Sequence, residues 1–242
     1  MIFKIQTIRL AHFLRSHFHL VFLDAPFPAP AGPGVLPIFE SAGPYYRWTP
    51  VKEGDDVARV RTVIRKAMIE EGDGMPFVGV LGFSQGAMLA TGILMEQYLR
   101  GGGLAGEDQK FQFGVFLVGG FPPISLDSRF TALGDPYVYG GSKDDKRYWN
   151  TIGVSSVHMH GKKDPVLPNS QALARCFKEG FQEDNTLNES KKEIKKTVLE
   201  FDVGHHMPTG MHDSKLLAHA ILRTYYGSDW EPDDEETFRA EA

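Results

Sequence analysis

Short apolar segments alternate with amphipathic segments of helical length along most of this chain, and that alternation limits the folds open to it. Residues 77–82 (FVGVLG) and 113–118 (FGVFLV) are nearly continuous apolar runs, which is typical of strands buried on both faces. Three further runs, at 19–24, 154–160 and 196–201, are predicted to be strands of the same kind. Strands separated by helices predict one α/β domain whose mostly parallel sheet is covered by helices on both faces.

The segments between these strands carry helical periodicity. In most of them apolar residues recur every three or four positions and charged residues fill the opposite face. The last helix is predicted to begin at an N-cap serine, Ser214, and to end before Gly227. The predicted helices cover residues 2–13, 55–71, 85–100, 169–179 and 214–226.

Residues 1–227 are predicted to form this single domain, and residues 228–242 an acidic tail. The tail holds seven acidic residues against one arginine, so the body of the protein is close to neutral although the chain carries a net charge of −5. The polar stretch at 127–150 is interpreted as an excursion over the sheet's edge. The Lys- and Glu-rich stretch at 178–196 is interpreted as a solvated loop or helix face.

Composition excludes several classes of partner. No strongly basic face is available to neutralise phosphates, which argues against nucleic acid. The only cysteine, Cys176, can form neither an internal disulfide nor a multi-cysteine zinc site, so we expect a cytoplasmic protein. The longest apolar stretches stay under about ten residues, far below the roughly 20 that span a bilayer, so no membrane segment is expected.

The strand predicted at 77–82 ends in Gly82-Phe83-Ser84-Gln85-Gly86, and a helical segment begins at once. A G-x-S-x-G pattern between a strand and a helix is typical of a sharp turn that holds a serine hydroxyl clear of the backbone. Both glycines are expected to be required sterically, because a side chain at either position would collide with the neighbouring strand and helix. The pattern predicts a nucleophilic serine.

A serine hydroxyl is a poor nucleophile at neutral pH, so it needs a base and a group that orients the base. Asp164 follows the fourth predicted strand, and His205 and His206 follow the fifth, in the order Ser, Asp, His that such a turn favours. Spacing alone does not choose between the two histidines. Asp202 is a rival acid. Because it lies on the same loop, only three residues before His205, it is poorly placed to reach the far nitrogen of that ring.

His158 and His160 alternate on the fourth predicted strand and therefore point to one side of it. Such a pair could bind a metal ion, but no other ligands are obvious nearby, so we interpret both as packed or hydrogen-bonded side chains. No metal and no organic cofactor is predicted.

Seven short motifs occur together over most of the chain and are far more specific than the serine turn alone. They are VFLDAP (21–26), GPGV (32–35), GPYYRW (43–48), GFSQGA (82–87), GGF (119–121), HGxxD (160–164) and GHxxP (204–208). Because it carries these seven motifs together, the sequence resembles the fungal serine hydrolase family. That family includes the ovarian-cancer-associated-gene-2-like hydrolases and the thiohydrolases that release fungal polyketides. Aligning the GHxxP motif selects His205 rather than His206 as the base.

The resemblance implies an α/β-hydrolase fold and the hydrolysis of esters or thioesters through an acyl-enzyme. It implies that Ser84 is the nucleophile, His205 the base, Asp164 the group that orients it, and the backbone N–H of Gln85 an oxyanion donor. By analogy it also implies a polyketide or fatty acyl substrate, and as partner an acyl carrier protein domain of a polyketide synthase.

Five further side chains lie on loops expected to lead to the same face of the sheet as the serine. We expect them to line an apolar acyl pocket, although aromatic residues on loops equally suit loop packing. They are Tyr45, Tyr46, Trp48, Phe121 and Met207.

The sequence departs from the family at its start. Family members begin with a central strand and an H-G-x-G-type loop that offers a second oxyanion donor, whereas this chain starts at the helix that follows. We therefore expect a sheet that lacks this first strand and has unpaired edges beside the gap. Two other functions stay open: a general short-chain carboxylesterase with a smaller pocket, and a non-catalytic binding protein if the oxyanion hole is lost.

Overall fold

The computed structural model describes residues 2–32, 35–50, 57–72, 75–104, 106, 109–126, 149–182 and 192–232. Its helices and strands, in chain order, are α1 (Ile2–Gln6), α2 (Ile8–Leu14), β1 (Phe27–Ala29), a short 3-10 helix (Glu40–Ala42), β2 (Tyr45–Arg47), α3 (Ala58–Glu70), β3 (Gly79–Phe83), α4 (Gln85–Arg100), β4 (Phe113–Leu117), β5 (Ser155–Gly161), α5 (Leu167–Ala174), β6 (Gly180–Gln182), β7 (Lys192–Ile194), β8 (Lys196–Phe201) and α6 (Met211–Tyr226).

The centre of the described structure is a four-stranded parallel sheet in the order β3-β4-β5-β8. The two middle strands, β4 and β5, are buried at every position. For β4 this is the burial expected of a continuous apolar run in a parallel sheet with both faces covered. Strand β5 is equally buried although four of its seven residues are serine or histidine. Four of the five predicted strands are confirmed, and so is the parallel α/β architecture.

Helices cover both faces of this sheet and form two separate apolar cores. On one face α2 and α6 pack together, with Leu14 and Leu217 fully buried among side chains of β4 and β5. On the other face α3 and α4 contribute Ile64 and Leu94 to a second core. The predicted layers are therefore confirmed, and the carboxyl ends of the parallel strands all lie at one edge of the sheet.

The strand predicted at 19–24 is wrong, because these residues belong to no strand of the described structure. An apolar run becomes a strand only when neighbouring backbone groups pair with it. The nearest candidate edge is the outer side of β3, and no described strand pairs with that side. Among the described residues, the outer edge of β3 is therefore unpaired.

Helix boundaries also differ from the predictions. The helix predicted at 169–179 is α5, which begins at Leu167 and ends at Ala174. The amino-terminal helix is two short helices separated at Thr7, whose hydroxyl donates a hydrogen bond to the Phe3 carbonyl at 2.8 Å. The last helix begins at Met211 rather than at Ser214, and Gly210 is its N-cap. The Ser214 hydroxyl lies inside the helix and donates to the Gly210 carbonyl at 2.9 Å, so its capping role was predicted wrongly.

Two small antiparallel pairs, β1 with β2 and β6 with β7, lie in segments predicted as loops. The excursion predicted at 127–150 falls mainly on residues 127–148, which lie outside the described residues, as do residues 183–191 of the Lys- and Glu-rich stretch. The acidic tail after Gly227 is described only as far as residue 232, so it stays a prediction. In the part of the chain that the structure describes, no helix combines the length and apolarity needed to cross a membrane.

His158 and His160 of β5 are packed side chains, as interpreted from the sequence. The His158 ring stacks on Phe116 with centroids 4.9 Å apart, meets Phe177 at 5.0 Å, and has its Nε2 3.0 Å from the Ser156 hydroxyl. Both histidines are buried, and burial lowers the pKa of each below its ordinary value. Both rings therefore stay neutral in the folded protein at physiological pH.

We expect the free energy of unfolding to decrease as the pH falls below about 6.5, the ordinary pKa of histidine. In that range the unfolded chain takes up protons that buried His158 and His160 do not accept, because burial lowers the pKa of both in the folded state. Each histidine lowers the stability by up to about 1.4 kcal/mol per pH unit until it protonates in the folded state. Denaturant unfolding over a pH series measures this slope.

The variant His158→Gln removes one of these groups. Its free energy of unfolding should therefore fall less steeply with decreasing pH, by up to about 1.4 kcal/mol per pH unit. His206→Gln makes the same chemical change at an exposed histidine and is the control for the substitution itself. A slope in His158→Gln equal to that of the unaltered protein would contradict the assignment of acid sensitivity to this buried ring.

Candidate active site

Ser84 stands in the sharp turn between β3 and α4. Its backbone has φ 52° and ψ −115°, a conformation that residues other than glycine rarely adopt. The turn is held from both sides, since the Ser84 N–H donates to the Leu117 carbonyl at 2.9 Å and the Ser84 carbonyl accepts from the Ala87 N–H at 3.0 Å. The strain is maintained by these bonds, and they fix the hydroxyl at the carboxyl end of the sheet.

The two glycines of this turn differ in their steric role. A Cβ at Gly82 would lie 2.3 Å from the Gly86 carbonyl oxygen, so only glycine fits there, as predicted. A Cβ at Gly86 would meet only Trp48, with its Nε1 at 3.8 Å, which is an ordinary contact. The prediction of a steric requirement at Gly86 is therefore wrong: the tight approach is made by its backbone, and the space beyond its Cα is open.

The His205 ring lies within hydrogen-bonding distance of both the Ser84 hydroxyl and the Asp164 carboxylate. His205 Nε2 is 2.7 Å from Ser84 Oγ, and His205 Nδ1 is 2.7 Å from Asp164 Oδ2. An ionised carboxylate can only accept, so Nδ1 carries the ring proton and donates it to Asp164. The opposite nitrogen, Nε2, is then free to accept the hydroxyl proton of Ser84, which is the arrangement that general base activation requires.

The Asp164 carboxylate is held in place by contacts other than the one with His205. Its side chain is only 1% exposed, and its Oδ1 accepts the Val166 backbone N–H at 2.9 Å. Its second oxygen, Oδ2, is thereby directed at the His205 ring. Burial strengthens this charged hydrogen bond, because little water competes for the carboxylate.

Two loops at the carboxyl edge of the sheet bring these residues together. A Cβ at Gly161 would lie 2.4 Å from the Gly204 carbonyl oxygen, so glycine lets the loop that carries Asp164 approach the loop that carries His205. The Lys163 N–H donates to the Val203 carbonyl at 2.9 Å and locks the two loops side by side. The loops that follow the neighbouring strands β5 and β8 therefore place Asp164 and His205 next to each other.

The rival residues lie elsewhere. Asp202 is exposed and pairs with the Lys163 ammonium at 2.8 Å, which lowers the pKa of Asp202. His206 donates from its Nδ1 to the Met207 carbonyl at 2.9 Å and faces solvent.

Burial raises the pKa of the Cys176 thiol to about 12, so this cysteine is not a nucleophile at neutral pH. Within the described residues, no group of three or more His, Cys, Asp or Glu side chains could hold a metal ion.

Gln85 contributes in a way that the sequence did not reveal. Gln85 is the first residue of α4 and follows Ser84 directly, so its backbone N–H has no acceptor within the helix. Its side chain binds another segment: Oε1 accepts the Trp48 N–H at 2.8 Å, and Nε2 donates to Thr49 Oγ1 at 3.1 Å. The loop after β2 is thus anchored to the serine turn. No local pattern signals a contact between residues so far apart in the chain.

The five predicted pocket residues do not surround one cavity. Trp48 lies beside the serine turn and lines a cavity of about 300 Å³. The Tyr45 hydroxyl donates a hydrogen bond to the Phe39 carbonyl at 2.7 Å, and the Tyr46 side chain is 45% exposed. Phe121 packs on the same core as Trp48, whereas Met207 is buried in the core on the opposite face of the sheet. Of the five, Trp48 alone is in contact with both the turn and the cavity.

A family model described as "Serine hydrolase (FSH1)" matches residues 1–215. The chain is 31% identical over 235 residues to Esterase FUS5 of Gibberella moniliformis, an alignment that covers 93% of this chain and 81% of that protein. It is 28% identical to Thioesterase FSL2 of Gibberella zeae, with 91% and 86% covered, and 30% identical to Esterase citA of Monascus ruber, with 91% and 85% covered.

Among solved structures, the acyl-protein thioesterase 2 of Zea mays aligns with 75% of this chain and 73% of its own, at 18% sequence identity and a TM-score of 0.41.

Proposed function

Because the chain belongs to the FSH1 serine hydrolase family, we propose that it cleaves acyl esters or thioesters through an acyl-enzyme formed on Ser84. The chain is an enzyme of the esterase and thioesterase type with the α/β-hydrolase fold. The observation that carries the proposed roles is the continuous hydrogen-bonded line from Ser84 Oγ through the His205 ring to Asp164, at 2.7 Å for each contact.

In the first half-reaction, His205 Nε2 accepts the proton of Ser84 as Oγ attacks the acyl carbonyl. The imidazolium that forms is stabilised by the Asp164 carboxylate at Nδ1. The tetrahedral intermediate collapses when His205 returns the proton to the leaving alcohol or thiol, and the acyl group stays on Ser84.

In the second half-reaction, His205 takes a proton from water as the water oxygen attacks the acyl-serine. The proton then passes to Ser84 Oγ as the acid is released. The Gln85 backbone N–H, free at the start of α4, is the proposed donor to the oxyanion in both steps. The two half-reactions balance with the substrate, one water molecule and the side chains of this protein.

The acyl group that we propose is a fatty or polyketide chain, carried as a thioester on an acyl carrier protein domain. Support comes from the relative named as a thioesterase, which aligns with most of this chain, and from the apolar indole of Trp48 beside the serine turn. We further propose a cytoplasmic location, because Cys176, the only cysteine, is a buried free thiol.

Hydrolysis of p-nitrophenyl esters of increasing chain length, alongside an acyl-carrier thioester, tests this proposal. Each methylene that becomes buried contributes about 0.8 kcal/mol, so kcat/KM should increase by about tenfold for every two methylenes until the site is filled. The thioester should also be turned over. The Ser84→Ala variant supplies the background rate.

The two other outcomes each contradict the proposal in a different way. A preference for acetyl esters without thioester turnover would make the protein a short-chain carboxylesterase. A folded protein that hydrolyses none of these substrates would be a binding protein that has kept the fold.

A further inference from the structure

The side chain of Gln85 forms two hydrogen bonds that the proposed chemistry on Ser84 does not use. Its Oε1 accepts the Trp48 backbone N–H at 2.8 Å, and its Nε2 donates to Thr49 Oγ1 at 3.1 Å. A primary amide has its acceptor and its donors on opposite arms, so both arms are engaged with consecutive residues of one segment. The residue that follows the nucleophile therefore holds this segment at a defined position beside the serine turn.

The hydrogen bond to Trp48 begins where the pairing of β2 ends. The antiparallel pair of β1 with β2 has Phe27 opposite Arg47 as its last match, and Trp48 is the next residue of the chain. The Trp48 N–H thus lies beyond the strand pair and needs another acceptor, because a half-buried backbone donor is costly to leave unpaired. The Gln85 side chain supplies that acceptor.

Thr49 connects the same anchor to a charged side chain. Its Oγ1 also accepts hydrogen bonds from the Arg47 guanidinium, from Nε at 2.9 Å and from a terminal nitrogen. A threonine hydroxyl has two lone pairs and rotates to suit its partners, and bonds from a charged donor are the stronger ones. The two residues that flank Trp48 in the chain are therefore tied to each other, and Gln85 ties them to α4.

The indole of Trp48 is held against the first turn of α4. The atom nearest to a Cβ built on Gly86 is Trp48 Nε1, at 3.8 Å, and Gly86 is two residues beyond Ser84. The rest of the ring packs on the apolar core that α3 and α4 share. Because consecutive Cα atoms are only about 3.8 Å apart, the ring lies close to the point where an acyl group on Ser84 would begin.

A ring held in this way is suited to select among acyl chains. An indole offers a large apolar surface, and each methylene buried against it favours binding. A ring that first has to be ordered would lose part of this gain as conformational entropy at each binding event. An acetyl group has no methylene to bury, so only longer chains gain from a fixed ring.

We propose that the Gln85 side chain is a positioning residue that, together with Thr49, holds Trp48 in place, and that Trp48 determines the preference for long acyl chains over acetyl. This inference rests on the proposed function and deepens it, since it concerns the same site. The alternative is that the side chain serves only the Gln85 backbone N–H. The direction of that N–H is determined by the backbone at the start of α4, so it does not require the side chain.

The variant Gln85→Met tests the proposal, because it keeps the length of the side chain and the backbone N–H but removes both hydrogen bonds. We expect kcat/KM for p-nitrophenyl decanoate to fall by at least about tenfold, the equivalent of two buried methylenes, mainly through a higher KM. The value for p-nitrophenyl acetate should stay within about twofold. Equal losses for both esters would overturn the proposal, since they would assign the side chain to the oxyanion donor.

Threonine variants test the same anchor from its other end, including the case in which Gln85→Met does not fold. Thr49→Val removes the hydroxyl and should lower the decanoate-to-acetate ratio, whereas Thr49→Ser keeps the hydroxyl and should preserve it. Thr62→Val is the matched control, because this exposed threonine donates to the Ala58 carbonyl within α3. A Thr49→Val variant with an unchanged ratio would contradict the proposal.

A double-mutant cycle shows whether the amide acts through the ring. Trp48→Ala should itself lower the decanoate-to-acetate ratio by at least about tenfold. Adding Gln85→Met should then change the ratio by less than about twofold, because no ring is left to position. Losses that multiply in the double variant would mean that Gln85 acts independently of Trp48, and the proposal would fail.

Binding of decanoate to the Ser84→Ala variant tests the contact without hydrolysis. The indole N–H of Trp48 gives an NMR resonance that is assigned by its loss in Trp48→Phe. Decanoate should shift this resonance, and adding Gln85→Met should raise the Kd for decanoate by at least about tenfold. If decanoate binds in this way to a protein that hydrolyses no ester, the proposed function fails alone. If decanoyl esters are hydrolysed but the Trp48 resonance does not shift, this inference fails alone.

Discussion

Replacing Ser84 by alanine is expected to lower kcat for ester hydrolysis by about 10⁴–10⁶-fold, because the acyl group then has no oxygen to which it can be transferred. The neighbouring His205 loses its proton donor at 2.7 Å and can only assist water. KM should change little, since the hydroxyl takes part in the chemistry rather than in holding the acyl chain. Steady-state rates with the best p-nitrophenyl ester measure the loss.

The fold should survive this substitution, because alanine retains both backbone hydrogen bonds of the turn, from its own N–H to the Leu117 carbonyl and from the Ala87 N–H to its own carbonyl. Ser228→Ala is the matched control: this serine is exposed and lies beyond α6, so activity should stay within about twofold. A folded Ser84→Ala variant that keeps a tenth or more of the activity would show that another residue takes up the acyl group.

Asp164→Asn is expected to reduce kcat by about 10⁴-fold. The asparagine amide can donate to His205 Nδ1, which stabilises the ring tautomer that carries its proton on Nε2 and cannot accept from Ser84. The substitution also removes the buried negative charge that stabilises the imidazolium. Steady-state rates of the folded variant with the same p-nitrophenyl ester measure the combined loss.

The control for this prediction is the other acid near the histidine. Asp202→Asn makes the same chemical change at an exposed carboxylate that pairs only with Lys163. Surface ion pairs contribute about 0–1 kcal/mol, so activity and stability should both stay close to those of the unaltered protein. Equal losses at positions 164 and 202 would mean that Asp164 has no special relation to the base.

The features predicted best from the sequence are those encoded by continuous stretches of chain. The apolar run that became β4 carries its burial in its own composition, and α4 begins and ends at the residues expected from the serine turn and from Gly101. The loop positions of Asp164 and His205 followed from the order of the strands, because the carboxyl ends of parallel strands share one edge.

What the sequence could not provide depends on contacts between distant segments. Residues 19–24 have the composition of a strand, but a strand also needs a partner, and the edge of β3 next to them is unpaired. The choice between His205 and His206 was not determined by spacing, since it depends on how two loops meet at Gly161. The anchoring of Trp48 by the Gln85 side chain is likewise a long-range contact.

The pocket prediction shows the same limit in another form. Aromatic side chains on loops at one end of a sheet were expected to converge, yet Met207 packs in the core on the far face and Tyr46 remains largely in solvent. Position along the chain determines which end of the sheet a loop occupies. It does not determine on which side of the sheet a side chain packs.

The most direct measurement of the central claim is the site of covalent labelling by a fluorophosphonate, which reacts with activated serine hydroxyls. After digestion, mass spectrometry should find a single adduct on the peptide that contains Ser84. The adduct should be lost in His205→Gln and retained in His206→Gln, because only the first ring lies at 2.7 Å from the hydroxyl. A folded protein that is not labelled, or that is labelled at another serine, would contradict the account.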